Sequence, residues 1–348
     1  MLYLRYKHDT MNLKQGTELQ SGKYRIMGLI AQGGFGIIYL AEQVTSGNCV
    51  AIKELFVADY CSRAKDGSVV SVGNGEIVER FHRMFLKEAR LIASLDNPHI
   101  IRVIDVFEEN STAYYVMEYL EGENLYSLVN RRGTIPETEA VGYIRQVAAA
   151  LKELHSRRLL HLDVKPYNIM LNSRGEAVLT DLGFYKFYGE SAKWEGETGG
   201  ITIRISHNFA PIELYARNRL RYFEPATDIY ALGATLFFLL TGQRPPSVDE
   251  ILYDGLPPLP QKVSAGVRNA LECAMQPSQK KRPQSIEEFV ALLDANTPQK
   301  VASKAGSRIG KRGEESAVAV KRNRISLIIA LLSLLLVVAG LLLSLTFI

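Results

Sequence analysis

Hydrophobic and polar positions change their period once along this chain. In the first third, apolar runs of strand length follow one another: 24–30 (YRIMGLI), 37–41 (IIYLA), 49–55 (CVAIKEL), 101–108 and 113–119 (AYYVMEY). One helix interrupts them. Over 79–95, Phe81, Met84, Phe85, Ile92 and Leu95 recur at helical spacing and mark a buried face. After Glu121-Gly122-Glu123-Asn124 the texture becomes helical. Segment 137–156 is amphipathic, and 226–240 (ATDIYALGATLFFLL) is apolar nearly all round, which predicts a buried central helix. Asp228, in its first turn, is placed to cap its N-terminus. Short strands are predicted at 169–171 and 177–180, and helical segments continue to about residue 295. The pattern is α+β: a small sheet with one helix, then a larger, mainly helical part. Segment 56–75 carries the turn signals Asp66-Gly67 and Asn74-Gly75 and reads as a passive inserted loop or short hairpin.

The last apolar run differs in kind. Residues 325–348 carry no charge and are mostly Leu, Ile, Val and Ala. A helix of that length spans roughly 36 Å, enough for a hydrocarbon core of about 30 Å. The basic flank Lys321–Arg324 predicts that the N-terminal side faces the cytoplasm and meets anionic lipid headgroups. Nothing follows Ile348, so no outside sensor is expected. Segment 296–324 holds eight basic and two acidic residues, without apolar period, and reads as a flexible basic tether. Removing it from the 41 basic and 37 acidic residues of the chain leaves 33 against 35. The globular part is therefore near neutral, which argues against a nucleic-acid-binding body. Three scattered cysteines fit a reducing compartment, and no secretory signal opens the chain. Met11 is an alternative start.

Candidate chemistry sits on both sides of the change in period. Gly33, Gly34 and Gly36 form a turn between two strands, where backbone N–H groups can approach phosphates. Lys53 lies inside an otherwise apolar strand, and Glu88 falls on the apolar face of the helix, seven residues after Phe81. A carboxylate there is costly unless paired, and Lys53 is the natural partner. Further on come His161-Leu162-Asp163-Val164-Lys165-Pro166-Tyr167-Asn168 and Asp181-Leu182-Gly183. Carboxylates and an amide oxygen suit a hard cation, a separate carboxylate can accept a hydroxyl proton, and a lysine can neutralise a phosphoryl group.

In their order and separation these motifs resemble the eukaryotic-type protein kinases, in particular the bacterial Ser/Thr branch, over about residues 20–295. The resemblance implies a two-lobed kinase domain at 21–295, with lobes at about 21–119 and 120–295. An N-terminal extension (1–20) would precede it, and the linker 296–324 and a single transmembrane helix (325–348) would follow. It implies that Gln32, Gly33, Gly34, Phe35 and Gly36 cover ATP phosphates, with Ala31 in the place of the loop's first glycine. It makes Lys53 the α/β-phosphate lysine and Glu88 its partner. Ile30, Ile38, Ala51 and Met170 would line the adenine pocket, Met117 would be the gatekeeper, and the backbone of Glu118 and Leu120 would meet the adenine edge. Asp163 is similar to the catalytic base, Lys165 to the γ-phosphate lysine, and Asn168 and Asp181 to the ligands of Mg²⁺ or Mn²⁺.

The resemblance also implies Ser/Thr acceptors on protein substrates and a Glu213–Arg282 link, and it puts Ser206 near the base. Autophosphorylation within the segment from Asp181 to Glu213, at Ser191, Thr198, Thr202 or Ser206, is expected from copies meeting as a homodimer in one membrane plane. Besides Ala31, three positions depart from the family. Leu162 replaces the arginine that grips a phosphorylated activation loop, Leu182 replaces a phenylalanine, and Tyr167 replaces an acidic residue that favours basic substrates. Ala31 and Leu162 motivate the competing reading, a catalytically weak, membrane-tethered scaffold. Nothing resembles a Walker loop.

Overall fold

The computed structural model describes residues 11–181, 186–187, 206, 208–215 and 223–295. All lie in the first of two compact units, Met1–Pro298. The expected tether 296–324, the membrane helix 325–348, Leu182, Ser191, Thr198 and Thr202 fall outside the described residues. Among the described residues no helix is long and apolar enough to cross a membrane.

Six strands form one antiparallel sheet: β1 (Glu18–Leu19), β2 (Tyr24–Gln32), β3 (Gly36–Gln43), β4 (Asn48–Leu55), β7 (Val103–Glu109) and β8 (Thr112–Glu118), in the order β1-β2-β3-β4-β8-β7. The alternating runs of the sequence become alternating burial along β2 and β3, where Tyr24, Ile26, Ile37, Tyr39 and Ala41 are fully buried. Helix α1 (Gly75–Ala93) packs Phe85, Glu88, Ala89 and Ile92 inward. It begins four residues before the expected start, because the Asn74 side chain accepts from the Glu76 N–H and caps it. The strand expected from residue 101 starts only at Val103. Ile101 instead donates its N–H to Leu179 O (2.9 Å), so this stretch joins the sheet to the helical half.

Segment 56–75 folds as a hairpin of β5 (Cys61–Arg63) and β6 (Val69–Ser71). Its anchor is a buried polar cluster. Glu54, fully buried, accepts from Arg63 Nη2 (2.5 Å), Tyr39 Oη (2.9 Å) and Tyr114 Oη (2.7 Å). Arg63 also donates to Met11 O and Gly67 O, so every element meeting there is tied to one carboxylate.

The helical half contains α2 (Leu125–Arg132), α3 (Glu137–Ser156), α4 (Pro225–Thr241), α5 (Val248–Asp254), α6 (Ala265–Ala274) and α7 (Ile286–Asp294). Helix α2 has too few residues to carry a periodic signal, and the sequence reading placed no helix there; Asn124 caps it by accepting from the Ser127 N–H. Helix α4 is buried from Ala226 to Leu240, as its all-round apolarity requires. Asp228, expected to cap α4, does not: Thr227 Oγ1 accepts from the Glu224 N–H, and the Asp228 carboxylate turns into the interior. Two small antiparallel pairs complete the fold, β10 (Ile169–Leu171) with β11 (Ala177–Leu179) and β9 (Leu159–Leu160) with β12 (Lys186–Phe187). The expected Glu213–Arg282 link is a two-pronged ion pair (2.6 and 3.1 Å), with Arg282 also donating to Ala226 O, Gln276 O and Pro277 O.

Glu54→Ala leaves a buried guanidinium unpaired and should destabilise the sheet half by about 3–5 kcal/mol. Replacing both partners, Glu54→Leu with Arg63→Met, should recover more than half of that loss in denaturant titrations.

Candidate active site

Lys53 stands on β4, opposite Ile38 of β3 and Tyr115 of β8. That register puts Ile38, Ala51, Lys53 and Met117 on one face of the sheet. The Lys53 Nζ lies 2.9 Å from Asp181 Oδ1 and 3.5 Å from Glu88 Oε1. One ammonium thus bridges the sheet, helix α1 and the residue just beyond β11. Its burial would lower its pKa, but Asp181 and then Glu88 raise it well above the ordinary value. The two carboxylates respond oppositely. Lys53 holds Asp181 below the usual range, whereas burial pushes Glu88 up despite Lys53. The distances give the reason: the ammonium sits closer to Asp181, and Glu88 is the more enclosed of the two.

The glycine turn lies where β2 and β3 meet. Gly33 N–H donates to Gly36 O (2.9 Å). At Gly36 a Cβ would come within 2.8 Å of Glu54 O, so only glycine fits there. The inserted segment holds the turn from the other side: Ala58 N–H donates to Gly34 O (3.1 Å) and Phe56 N–H to Phe35 O (3.4 Å). The Phe35 ring packs against Phe81 of α1, with centroids 5.3 Å apart. The insertion is therefore bonded to the loop, not passive beside it. Gln32 ends β2, and Ala31 pairs with Ile38 within the sheet. Ile30 falls at a register shift of β2 and is 45% exposed.

Met117 pairs with Ala51 and Val103 across the sheet. The Glu118 N–H donates to Arg102 O (3.0 Å), so a ligand at this edge would meet the Glu118 carbonyl. Leu120 follows β8 and is half-buried against the core. Met170 on β10 forms a bridge with Asn124. The connection here is tight: a Cβ on Gly122 would stand 1.8 Å from Leu171 O. The adenine-pocket candidates thus come from β2, β3, β4, β8 and β10, with Ile30 the most exposed of them.

The second cluster centres on Asp163. Its Oδ2 accepts from Lys165 Nζ (2.6 Å) and Asn168 Nδ2 (3.0 Å), and its Oδ1 accepts from Ser206 Oγ (3.0 Å). Ser206 Oγ in turn accepts from Lys165 Nζ (3.1 Å). Asn168 Nδ2 also donates to Asp163 O, which leaves the amide oxygen as the end available to a cation. That oxygen and the half-exposed Asp181 carboxylate are a hard-oxygen donor set, which fits a small divalent cation better than a soft metal. Asp181 has φ 60°, a left-handed conformation uncommon for any residue but glycine.

The loop carrying Asp163 is fixed from beneath. His161 N–H and Leu162 N–H donate to Asp228 Oδ2 (2.9 Å) and Oδ1 (2.8 Å), and His155 Nε2 lies 2.8 Å from Oδ2. Leu162 is held at φ 65°. His161 Nδ1 accepts from the Asp163 N–H (3.2 Å), so its Nε2–H is the donor to Thr180 O (3.2 Å). One imidazole thereby connects the Asp163 loop to the residue before Asp181. The sequence reading missed Asp228 as part of this site; a charge in an otherwise apolar helix was the available signal. Burial raises the Asp228 pKa, but His155, His161 and the backbone bond outweigh it and hold the carboxyl below its ordinary value.

The family model described as protein kinase domain matches residues 24–294. The chain is 32% identical over 282 residues to the serine/threonine-protein kinase PrkC of Bacillus subtilis, covering 80% of this chain and 38% of that protein. It is 31% identical over 267 residues to the serine/threonine-protein kinase PknA of Mycobacterium tuberculosis, covering 73% and 57%. It is also similar to the solved apo form of PpkA-294, with TM-score 0.65 and 29% identity over 81% of this chain and 99% of that one. The chain thus spans between 38% and 57% of the length of these two curated relatives.

Asp228→Asn should cost about 2–4 kcal/mol at neutral pH, because an amide N–H₂ faces donors where an oxygen accepted. A depressed folded pKa means that Asp228 stabilises the fold above its unfolded pKa of about 3.9 and loses this as pH falls through the folded value. The stability gap between wild type and Asp228→Asn should therefore narrow below about pH 4 in pH-stepped denaturation.

Proposed function

Because the chain belongs to the protein kinase family, we propose that it transfers the γ-phosphate of ATP to Ser and Thr hydroxyls of proteins. The observation that carries this is the Asp163 cluster, in which one carboxylate is held by Lys165, Asn168 and Ser206. Asp163 orients the acceptor hydroxyl and takes its proton. Lys165, 2.6 Å from Asp163, neutralises charge on the phosphoryl group beside that hydroxyl. Lys53 holds the phosphates nearer the nucleoside, beneath the glycine turn. Asn168 and Asp181 would hold Mg²⁺ or Mn²⁺, which when bound offsets phosphate charge. The scaffold alternative loses ground because Lys53, Glu88, Asp163, Asn168 and Asp181 are all present and grouped.

The proposal extends to place and regulation. The uncharged run 325–348 and its basic flank support a tether that keeps the kinase domain at the cytoplasmic face, where homodimer encounters favour autophosphorylation of the Asp181–Glu213 segment. Leu162 lacks the guanidinium that would grip a phosphate there, so ordering of the loop by phosphorylation is not expected.

The full chain in detergent should transfer label from γ-labelled ATP to protein substrates with Mg²⁺ or Mn²⁺. Asp163→Asn should lower the rate at least about 100-fold; equal rates in the two proteins would sink the proposal. Mass spectrometry after incubation with ATP should find phosphate on Ser191, Thr198, Thr202 or Ser206. The full chain should also stay with membranes through carbonate extraction, and a chain truncated after residue 324 should be released.

A further inference from the structure

The segment that follows β4 runs back along the glycine turn before it enters the hairpin. Phe56 N–H bonds Phe35 O and Ala58 N–H bonds Gly34 O, so two consecutive carbonyls of the turn point the same way, toward the insertion. In a regular strand they would alternate. A trans peptide sets its N–H opposite its C=O, so the Phe35 and Gly36 N–H groups turn away from the insertion together. Two successive donors aimed one way make a concavity suited to an anion.

Arg63 holds the strip 56–58 in place. Its guanidinium lies over the Phe56 ring, 5.3 Å from the centroid. Phe56 is fully buried, and the Arg63 side chain is 5% exposed. The same guanidinium donates to Glu54 Oε2 (2.5 Å), Gly67 O (2.8 Å) and Met11 O (2.6 Å), so it ties the end of β4, the hairpin turn and the N-terminal stretch to one point. Val57 O accepts from the Tyr60 and Cys61 N–H groups (2.9 and 2.8 Å), which closes a turn with Ala58 at its second position. The Ala58 N–H is left to face Gly34 O. The bonds of the strip reach the turn at Gly34 and Phe35, whereas the adenine-pocket candidates Ala51, Met117 and Met170 stand on β4, β8 and β10.

We propose that Arg63 is a positioning residue for the triphosphate of ATP. Through Phe56 and the strip 56–58 it keeps the Gly34 and Phe35 carbonyls turned toward the insertion, and the turn thereby presents its N–H groups to the phosphates. This rests on the ATP-dependent kinase reading. The insertion acts on the phosphate end of the nucleotide and leaves recognition of the base to other strands. A turn already oriented loses less entropy when the nucleotide binds, so cutting the path weakens binding of ATP without altering the transfer step.

The test compares ATP with adenosine, which has no phosphates for the turn to meet, on the full chain in detergent. Two variants cut the path at different points. Ala58→Pro removes one N–H at the second position of a turn, where proline is accommodated. Glu54→Leu with Arg63→Met removes the ion pair without leaving a charge buried. Each should raise KM for ATP about three- to tenfold, the worth of a hydrogen bond, with kcat at saturating ATP within about twofold of wild type and the Kd for adenosine unchanged. Ala58→Ser, which keeps the N–H, should match wild type. An unchanged KM for ATP in either variant, or equal losses for ATP and adenosine, would overturn the positioning role while leaving the kinase reading intact. Failure of wild type to bind ATP would remove both.

Discussion

A single buried carboxylate, Asp228, fixes the loop that carries Asp163. It is wholly enclosed in the helical half, at a cost that isolated burial would not repay. Its oxygens are held by two consecutive backbone N–H groups and an imidazole, so the loop from His161 cannot shift without stranding an ionised group in the interior. That constraint tolerates the left-handed backbone of Leu162, which would otherwise cost about 1–3 kcal/mol. Once Leu162 is fixed, Asp163 is aimed, His161 is locked in one tautomer, and Thr180 is tied to the same loop. The position of Asp181 therefore descends from Asp228 through a chain of hydrogen bonds.

Lys53 gives the sheet half its corresponding fixed point. Unlike Asp228 it is shared, reaching two carboxylates at unequal distances. Burial pushes Glu88 above its ordinary range, while Lys53 holds Asp181 below its own. A group that binds Asp181 must contend with Lys53 for the same oxygens, whereas Glu88 remains beside the lysine in its apolar setting. The two halves are thus joined by a competition between charges as well as by the Ile101–Leu179 backbone bond.

Much of this was legible in the sequence, for reasons that differ by residue. Lys53 and Glu88 could be paired from periodicity alone, because each put a charge where its element was otherwise apolar, and the two charges are opposite. The boundaries of α3 could be read because its amphipathic pattern is long. Asp228 was misread because the first turn of a helix is also where caps occur, and only the fold reveals which way the carboxylate turns. Helix α2 was missed because eight residues give two turns, too few for a period to declare itself. The Glu54–Arg63 pair was hidden because Arg63 lies on β5, which pairs with β6 and not with β4, so no strand register visible in the sequence brings the two side chains together.

That hairpin changes how the glycine turn is understood. A loop made flexible by glycine must still be placed over its ligand, and flexibility alone raises the ordering entropy of binding. Here the Gly34 and Phe35 carbonyls are already taken by Ala58 and Phe56 N–H groups, and the Phe35 ring rests on α1. The glycines therefore serve closeness of approach more than mobility, with Gly36 needed where a Cβ would strike Glu54 O. The carbonyl that excludes a side chain at Gly36 belongs to the residue whose carboxylate anchors the insertion. The insertion's buried ion pair and the shape of the glycine turn are thus set at one position, so a change at Glu54 reaches the proposed nucleotide site without touching it.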